Sequence, residues 1–415
     1  MRSTLLLLLS LVLLAAAPEP TAEMLRARLP GLQGQARILA LHELVNKIET
    51  RAPQEGLALA DEGLTLARQL GDKEKEAAFL SSMAFCYGLT GDFALSVLRG
   101  KESLELSRQI GNKDRMARAH NVLGITYTYM GAYSQALEEH LESLRIRDEL
   151  SLETASLQSL NNIGVLYHNM GQYEKAIYYF QKSMDRNTKN QDTSRHILLK
   201  LNIGFANYKL GRLTEALKCH LDAMELINYN HNRTMLAYAY YNLGMTYTDL
   251  KEFSSARKYL YLALSEYEKQ DQKHARIQVL NAMGRFYLLS GRPSNGIPLV
   301  KEAIQLAQNI KTRNDLLIGY ELLSELYKTQ PNLSESFKYY KLYVRIFFSK
   351  QKFKTPHYTV CPACNSAIQP DKKQKSTPQE IVSIVSPIAL FKKVIKYFWP
   401  KENMSYWIIG LFEKI

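Results

Sequence analysis

The chain has 415 residues, 46% of them hydrophobic and 22% charged, a balance that excludes wholesale disorder. Four cysteines, two of them isolated at Cys86 and Cys219, exclude a disulfide scaffold. The net charge of +13 is uneven: residues 346–415 hold 11 lysines against 4 acids, so the rest has no excess that calls for a nucleic-acid partner.

At the start, Met1-Arg2 precedes the apolar run Leu5–Leu14 and the small residues Ala15, Ala16 and Ala17. A basic start, a short apolar core and a small-residue site predict a secretory signal peptide over residues 1–17. The run is too short to cross a hydrocarbon core of ~30 Å, which leaves an uncleaved interfacial helix as the alternative. Export is therefore expected, to a periplasmic or extracellular setting, with residues 18–40 as a lead-in helix.

From about residue 41 the sequence repeats with a period of forty. Asn121-Val-Leu-Gly-Ile-Thr-Tyr127 aligns without a gap on Asn161-Asn-Ile-Gly-Val-Leu-Tyr167. One column reads Met83, Leu123, Ile163, Ile203, Leu243, Met283 and Leu323. The next reads Ala84, Gly124, Gly164, Gly204, Gly244, Gly284 and Ser324. A turn column follows with Gly91, Gly131, Gly171, Gly211, Lys251, Gly291 and Pro331, and a small column closes the unit with Ser96, Ala136, Ala176, Ala216, Ala256 and Gly296. No proline falls between Pro53 and Pro293. Apolar positions four apart mark a helix face, and the turn glycine allows reversal into a second helix. Each interior glycine costs ~1 kcal/mol against alanine in a helix. Close approach of the paired helix explains them, with the small column expected as the matching surface.

Leu-Gly-x-x-Tyr-x-x-x-Gly-x-Tyr-x-x-Ala resembles the tetratricopeptide repeat in a forty-residue variant, of the kind found in exported bacterial repeat proteins and repeat-containing sensor regions. The resemblance covers residues 41–348, seven to eight units. Lys251 and Pro331 depart from the turn glycine and Pro293 from the turn aromatic, which marks the last units as less regular. The resemblance implies an all-α, right-handed superhelical solenoid whose first helices line a concave groove for a peptide or protein segment. In related long-repeat adaptors, asparagines just before the Leu-Gly pair reach into the groove. Here that position holds Asn162, Asn202 and Asn242. The adjoining rows add Asn121, Asn161, Tyr208, Tyr241 and Arg285 as candidate partner-binding residues, with Arg118, His168, Phe205 and Asn281 beside them. No row forms a Lys/Arg cluster to clamp an acidic carboxyl tail, and amides with aromatics favour an extended or partly apolar peptide instead.

No Ser/His/Asp set, P-loop or His-Glu-x-x-His motif occurs, so neither catalysis nor a cofactor is expected. His140 and His220 share a repeat phase two units apart and form no metal site. Past Phe348 the pattern stops, and residues 349–415 read as a basic, proline- and lysine-containing tail. Cys361-Pro-Ala-Cys364 has the spacing of half a zinc site, with His357 as a candidate third ligand, but no second Cys-x-x-Cys follows and it stays a weak candidate pair. Ile388–Trp399 is basic and apolar, suited to peripheral contact with an anionic membrane. The whole reads as an exported, non-enzymatic scaffold for a peptide or protein partner. The alternative is the input region of a truncated, sensor-kinase-like signalling protein.

Overall fold

A computed structural model describes residues 20–187, 192–229, 235–330 and 332–349. The signal peptide expected at residues 1–17, the Cys361–Cys364 pair and the tail from residue 350 on lie outside them. A short helix α1 (Ala22–Arg28) and a 3-10 turn (Leu29–Gly31) lead into eight helix pairs. These are α2 (Gly34–Ile48) with α3 (Pro53–Gln69), α4 (Lys73–Thr90) with α5 (Phe93–Gln109), and α6 (Lys113–Met130) with α7 (Tyr133–Glu149). Then come α8 (Glu153–Asn169) with α9 (Tyr173–Asn187), α10 (Thr193–Lys209) with α11 (Leu213–Tyr229), and α12 (Leu236–Asp249) with α13 (Phe253–Lys269). Last are α14 (Lys273–Leu289) with α15 (Pro293–Asn309) and α16 (Arg313–Lys328) with α17 (Leu333–Ser349). The first pair opens at Gly34, ahead of the expected start at 41, because α2 lacks the Leu-Gly signature and carries its core as Ile38, Leu41, Leu44, Val45 and Ile48.

The turns follow the column logic. Gly91, Gly131, Gly171, Gly211 and Gly291 all have positive φ, the left-handed conformation that ends a first helix and admits the reversal. Lys251 takes the same conformation at φ 62° without glycine's freedom. Between units, Asp72, Asn112 and Asp192 accept hydrogen bonds from the backbone N–H three residues on, capping α4, α6 and α10. Pro293 is compatible with helix at the first turn of α15, and α15 also runs through Pro298, so these prolines do not break the last units.

The interior glycines are placed by bulk. A Cβ at Gly124, Gly164, Gly204 or Gly244 would stand 2.6, 2.5, 2.5 or 2.7 Å from His140, Phe180, His220 or Leu260, all too close. Gly284 meets Val300 in the same way. The matching surface is therefore the large residue one turn beyond the small column, not the small column itself, which corrects the expectation above. The pair α4/α5 inverts the exchange: Ala84 stands in the glycine column and Gly100 in the bulky one, where a Cβ would lie 2.7 Å from Leu123. There the bulk that excludes a side chain comes from Leu123 of α6, in the next unit, and not from Ala84, which would be 3.8 Å away.

Successive helices pack against each other, and first helices also pack on the first helices of neighbouring units, as α4 does on α6 and α14 on α16. Helices α2 to α17 thus form a layered stack with the first helices as its closely joined layer, an all-α solenoid.

Candidate partner-binding groove

First-helix residues face a cavity of about 1500 Å³. Its walls come from the end of α4 (Gly88, Leu89), from Tyr129 of α6, from Phe205, Tyr208 and Lys209 of α10, and from Tyr241 and Met245 of α12. Farther along, His274, Gln278, Asn281 and Arg285 of α14 face Asp315, Ile318, Glu321 and Leu322 of α16. Spacings of three and four put each set on a single helix face.

One wall is an aromatic and charged network. The His168 and Phe205 rings stack at 5.1 Å between centroids, and Phe205 stacks on Tyr208 at 6.1 Å. Lys209 Nζ lies 5.2 Å from the Phe205 centroid. Arg285 Nη1 donates to the Tyr208 hydroxyl and to Asp249 Oδ2, each at 3.0 Å, and Arg285 Nη2 lies 2.7 Å from Asp249 Oδ1. Burial pushes the Tyr208 phenol up to about 12, aided by its hydrogen bond with Asp249, so it stays neutral. Burial also raises the Tyr241 phenol, and it lowers the Lys209 ammonium with the help of Arg285.

Three expected groove residues, Tyr208, Tyr241 and Arg285, line this cavity; the five asparagines are placed differently. Asn162 Nδ2 donates to Asn121 Oδ1 at 2.8 Å, and Asn202 Nδ2 donates to Asn161 Oδ1 at 3.1 Å. These amides form rungs between neighbouring first helices. The next rung would join Asn242 to position 201, where Leu201 stands, and Asn242 is fully buried. Its buried position takes it off the groove surface, in contrast to the row read from the sequence. Arg118 is also spent internally: its Nη2 donates to Asn46 at 3.1 Å and to Glu49 at 3.0 Å. At the other end, Asp315 Oδ2 is 3.2 Å from His274 Nε2, and Asp315 holds the His274 pKa above its ordinary value.

Asp249, His274 and Asp315 were not singled out by repeat reasoning. A signal for Asp315 exists in its column: Lys75, Arg115, Ala155, Arg195, Met235 and Ala275 precede it, and it is the only acid among them. Among the described residues, no group of three or more His, Cys, Asp or Glu could hold a metal ion, and no helix is long and apolar enough to cross a membrane.

The tetratricopeptide-repeat family model matches residues 75–149, 115–189 and 194–269. A comparison of the sequence with curated proteins returns no match. Among solved structures, the apo form of the quorum sensor NprR from B. thuringiensis is similar with a TM-score of 0.59 at 15% identity, over 78% of this chain and 92% of that one. The apo form of RapI aligns with a TM-score of 0.55 at 16% identity, over 67% of this chain and 99% of that one. The Rap conjugation gene regulator of the plasmid pLS20, solved in complex with the Phr* peptide, aligns with a TM-score of 0.52 at 14% identity, over 78% of this chain and 95% of that one. At these identities the likeness is one of fold. Repeat columns, helix pairs and family match converge: the chain is a tetratricopeptide-repeat protein.

Proposed function

We propose that the chain is an exported scaffold that holds a peptide or an extended protein segment in the first-helix groove, without catalysis of its own. The observation that carries this reading is the cavity. At about 1500 Å³ it exceeds the ~300–1,000 Å³ typical of small-molecule pockets. Aromatic rings and polar side chains from several repeats line it, which suits a chain laid across many units. The pLS20 regulator was solved with its Phr* peptide, and its shared fold supports the same use here. Export rests on the leader read at residues 1–17.

The test is selection from a displayed random-peptide library against the folded protein, followed by calorimetry on the selected peptides. Tyr241→Ala and Arg285→Ala, each with a melting temperature near that of the parent, should weaken binding about tenfold or more. Binding unchanged in both would remove the groove from the function. Amino-terminal sequencing of the mature chain tests export, with a start near residue 18 expected.

A second reading keeps the groove and makes it the input of a signalling protein. The fold likeness to the quorum sensor NprR supports it. Coding sequence for an output domain directly downstream would favour this reading over a stand-alone scaffold.

A further inference from the structure

Two buried hydrogen-bond acceptors in the cavity are under-used: Asn281 Oδ1 has no hydrogen-bond partner, and Asp315 Oδ2 meets only His274 Nε2 at 3.2 Å. Both line the cavity, yet the residues are only 7% and 5% exposed. The rung geometry accounts for Asn281. Lower in the stack, an asparagine in its column bonds an amide 41 residues on, but the corresponding residue here is Leu322. Asn281 Oδ1 is 3.8 Å from where a Gly319 Cβ would lie, one turn beyond Asp315 on α16. The carbonyl and the carboxylate thus sit on facing surfaces of α14 and α16. Leaving the Asn281 carbonyl dry and unmatched is costly unless a donor arrives.

The two nearby guanidiniums are committed elsewhere, while Lys311 also lines the cavity. Arg285 is held by Asp249 and Tyr208, and Arg313 donates to the Ile346 carbonyl. His274 faces Asp315 Oδ2 from an exposed position and supplies at most one N–H. Tyr241, Ile318 and Leu322 add flat and apolar walls, and Glu321 extends the negative side.

We propose that Asn281 and Asp315 form the subsite that receives an arginine side chain of the bound peptide, a deepening that rests on the groove reading above. A guanidinium is planar and carries five donors, so it can give N–H groups to a carbonyl and a carboxylate on separate helices while its face rests on Tyr241. An ammonium matches this fork less well, and a neutral side chain leaves the carboxylate with His274 alone.

Peptides from the library selection provide the test. The expected result is a shared arginine whose replacement by citrulline, the neutral isostere, weakens binding tenfold or more, with replacement by lysine costing less. Asp315→Asn should cause the same loss, and citrulline on that variant should add little further. Because Asp315→Asn removes a buried charge, its melting temperature should not fall. Selected peptides without arginine, or affinity within twofold of the parent for Asp315→Asn, overturn the subsite and leave the groove reading standing. A melting temperature lowered by several degrees with binding unchanged also overturns it, assigning Asp315 to holding His274. If no peptide binds, the groove reading fails, and N-acetyl-arginine methylamide becomes the probe. Amide NMR shifts confined to α14 and α16 in the parent, and lost in Asp315→Asn, support the subsite; no shifts overturn it.

Discussion

At the scale of single residues, the array is governed by an exchange of volume between two positions sixteen apart. Gly164 is the clearest case, since a Cβ there would meet Phe180 Cε1 at 2.5 Å in a fully buried contact. Alanine is the better helix former by ~1 kcal/mol, so propensity alone says that Gly164→Ala stabilises. Overpacking of ~1–3 kcal/mol opposes it, and the ring cannot retreat within a close-packed interior. With a rigid ring at 2.5 Å packing wins, and Gly164→Ala should lower stability by up to about 2 kcal/mol in urea denaturation. In Gly164→Ala combined with Phe180→Ala, the second change should cost less than it does alone, because it now removes a clash as well as a ring. Strict additivity in that cycle would show that the glycine column answers to something other than its facing residue.

Helix ends show what a sequence column can and cannot say. Asn112 accepts from the Arg115 N–H at 3.1 Å and caps α6, whereas Leu152, in the same column, leaves α8 without a side-chain cap. Asn112→Ala should cost about 1 kcal/mol, and Leu152→Asp should return roughly 0.5–1 kcal/mol, less what burial the half-buried leucine loses. Chemical denaturation of each variant checks both signs; a stabilising Asn112→Ala would refute the capping account. These features were legible because they are local: period, turn glycine and cap lie within a few residues of one another. The groove was legible only in part. Tyr208, Tyr241 and Arg285 were found by register, but the rungs Asn121–Asn162 and Asn161–Asn202 join residues 41 apart across a helix interface. A repeat alignment puts those residues in adjacent columns and does not show that they face each other. Asp315 escaped notice for the opposite reason. It breaks its column, and repeat reasoning attends to what recurs.

Across the whole molecule, the buried histidines couple stability to pH. His140 and His220 fill the space opposite Gly124 and Gly204 and are almost fully buried. Burial holds each down to about 4 from an ordinary 6.5, helped at His140 by Arg147. His42 is held to about 3 by burial and by Lys75, Arg115 and Arg118. All three native pKa values are depressed, so between about pH 6.5 and 4 the unfolded chain binds more protons than the native one. Their stabilisation is complete above the unfolded pKa and is lost as pH falls through that window, by up to about 1.4 kcal/mol per pH unit for each site. His274 works in the opposite sense, its pKa raised by the Asp315 carboxylate, and as a single exposed group it offsets only part of the loss. Thermal melts should therefore shift steadily downward from pH 7 to pH 5, a range above most carboxylate titration. Replacing both repeat histidines by leucine, the residue the same column uses at Leu260, keeps the bulk opposite each glycine and removes the charge. That double variant should flatten the pH 7–5 slope, leaving the shares of His42, His168 and His196, whose pKa values burial also lowers, and a slope equal to the parent's would show that these histidines are not the proton-linked groups.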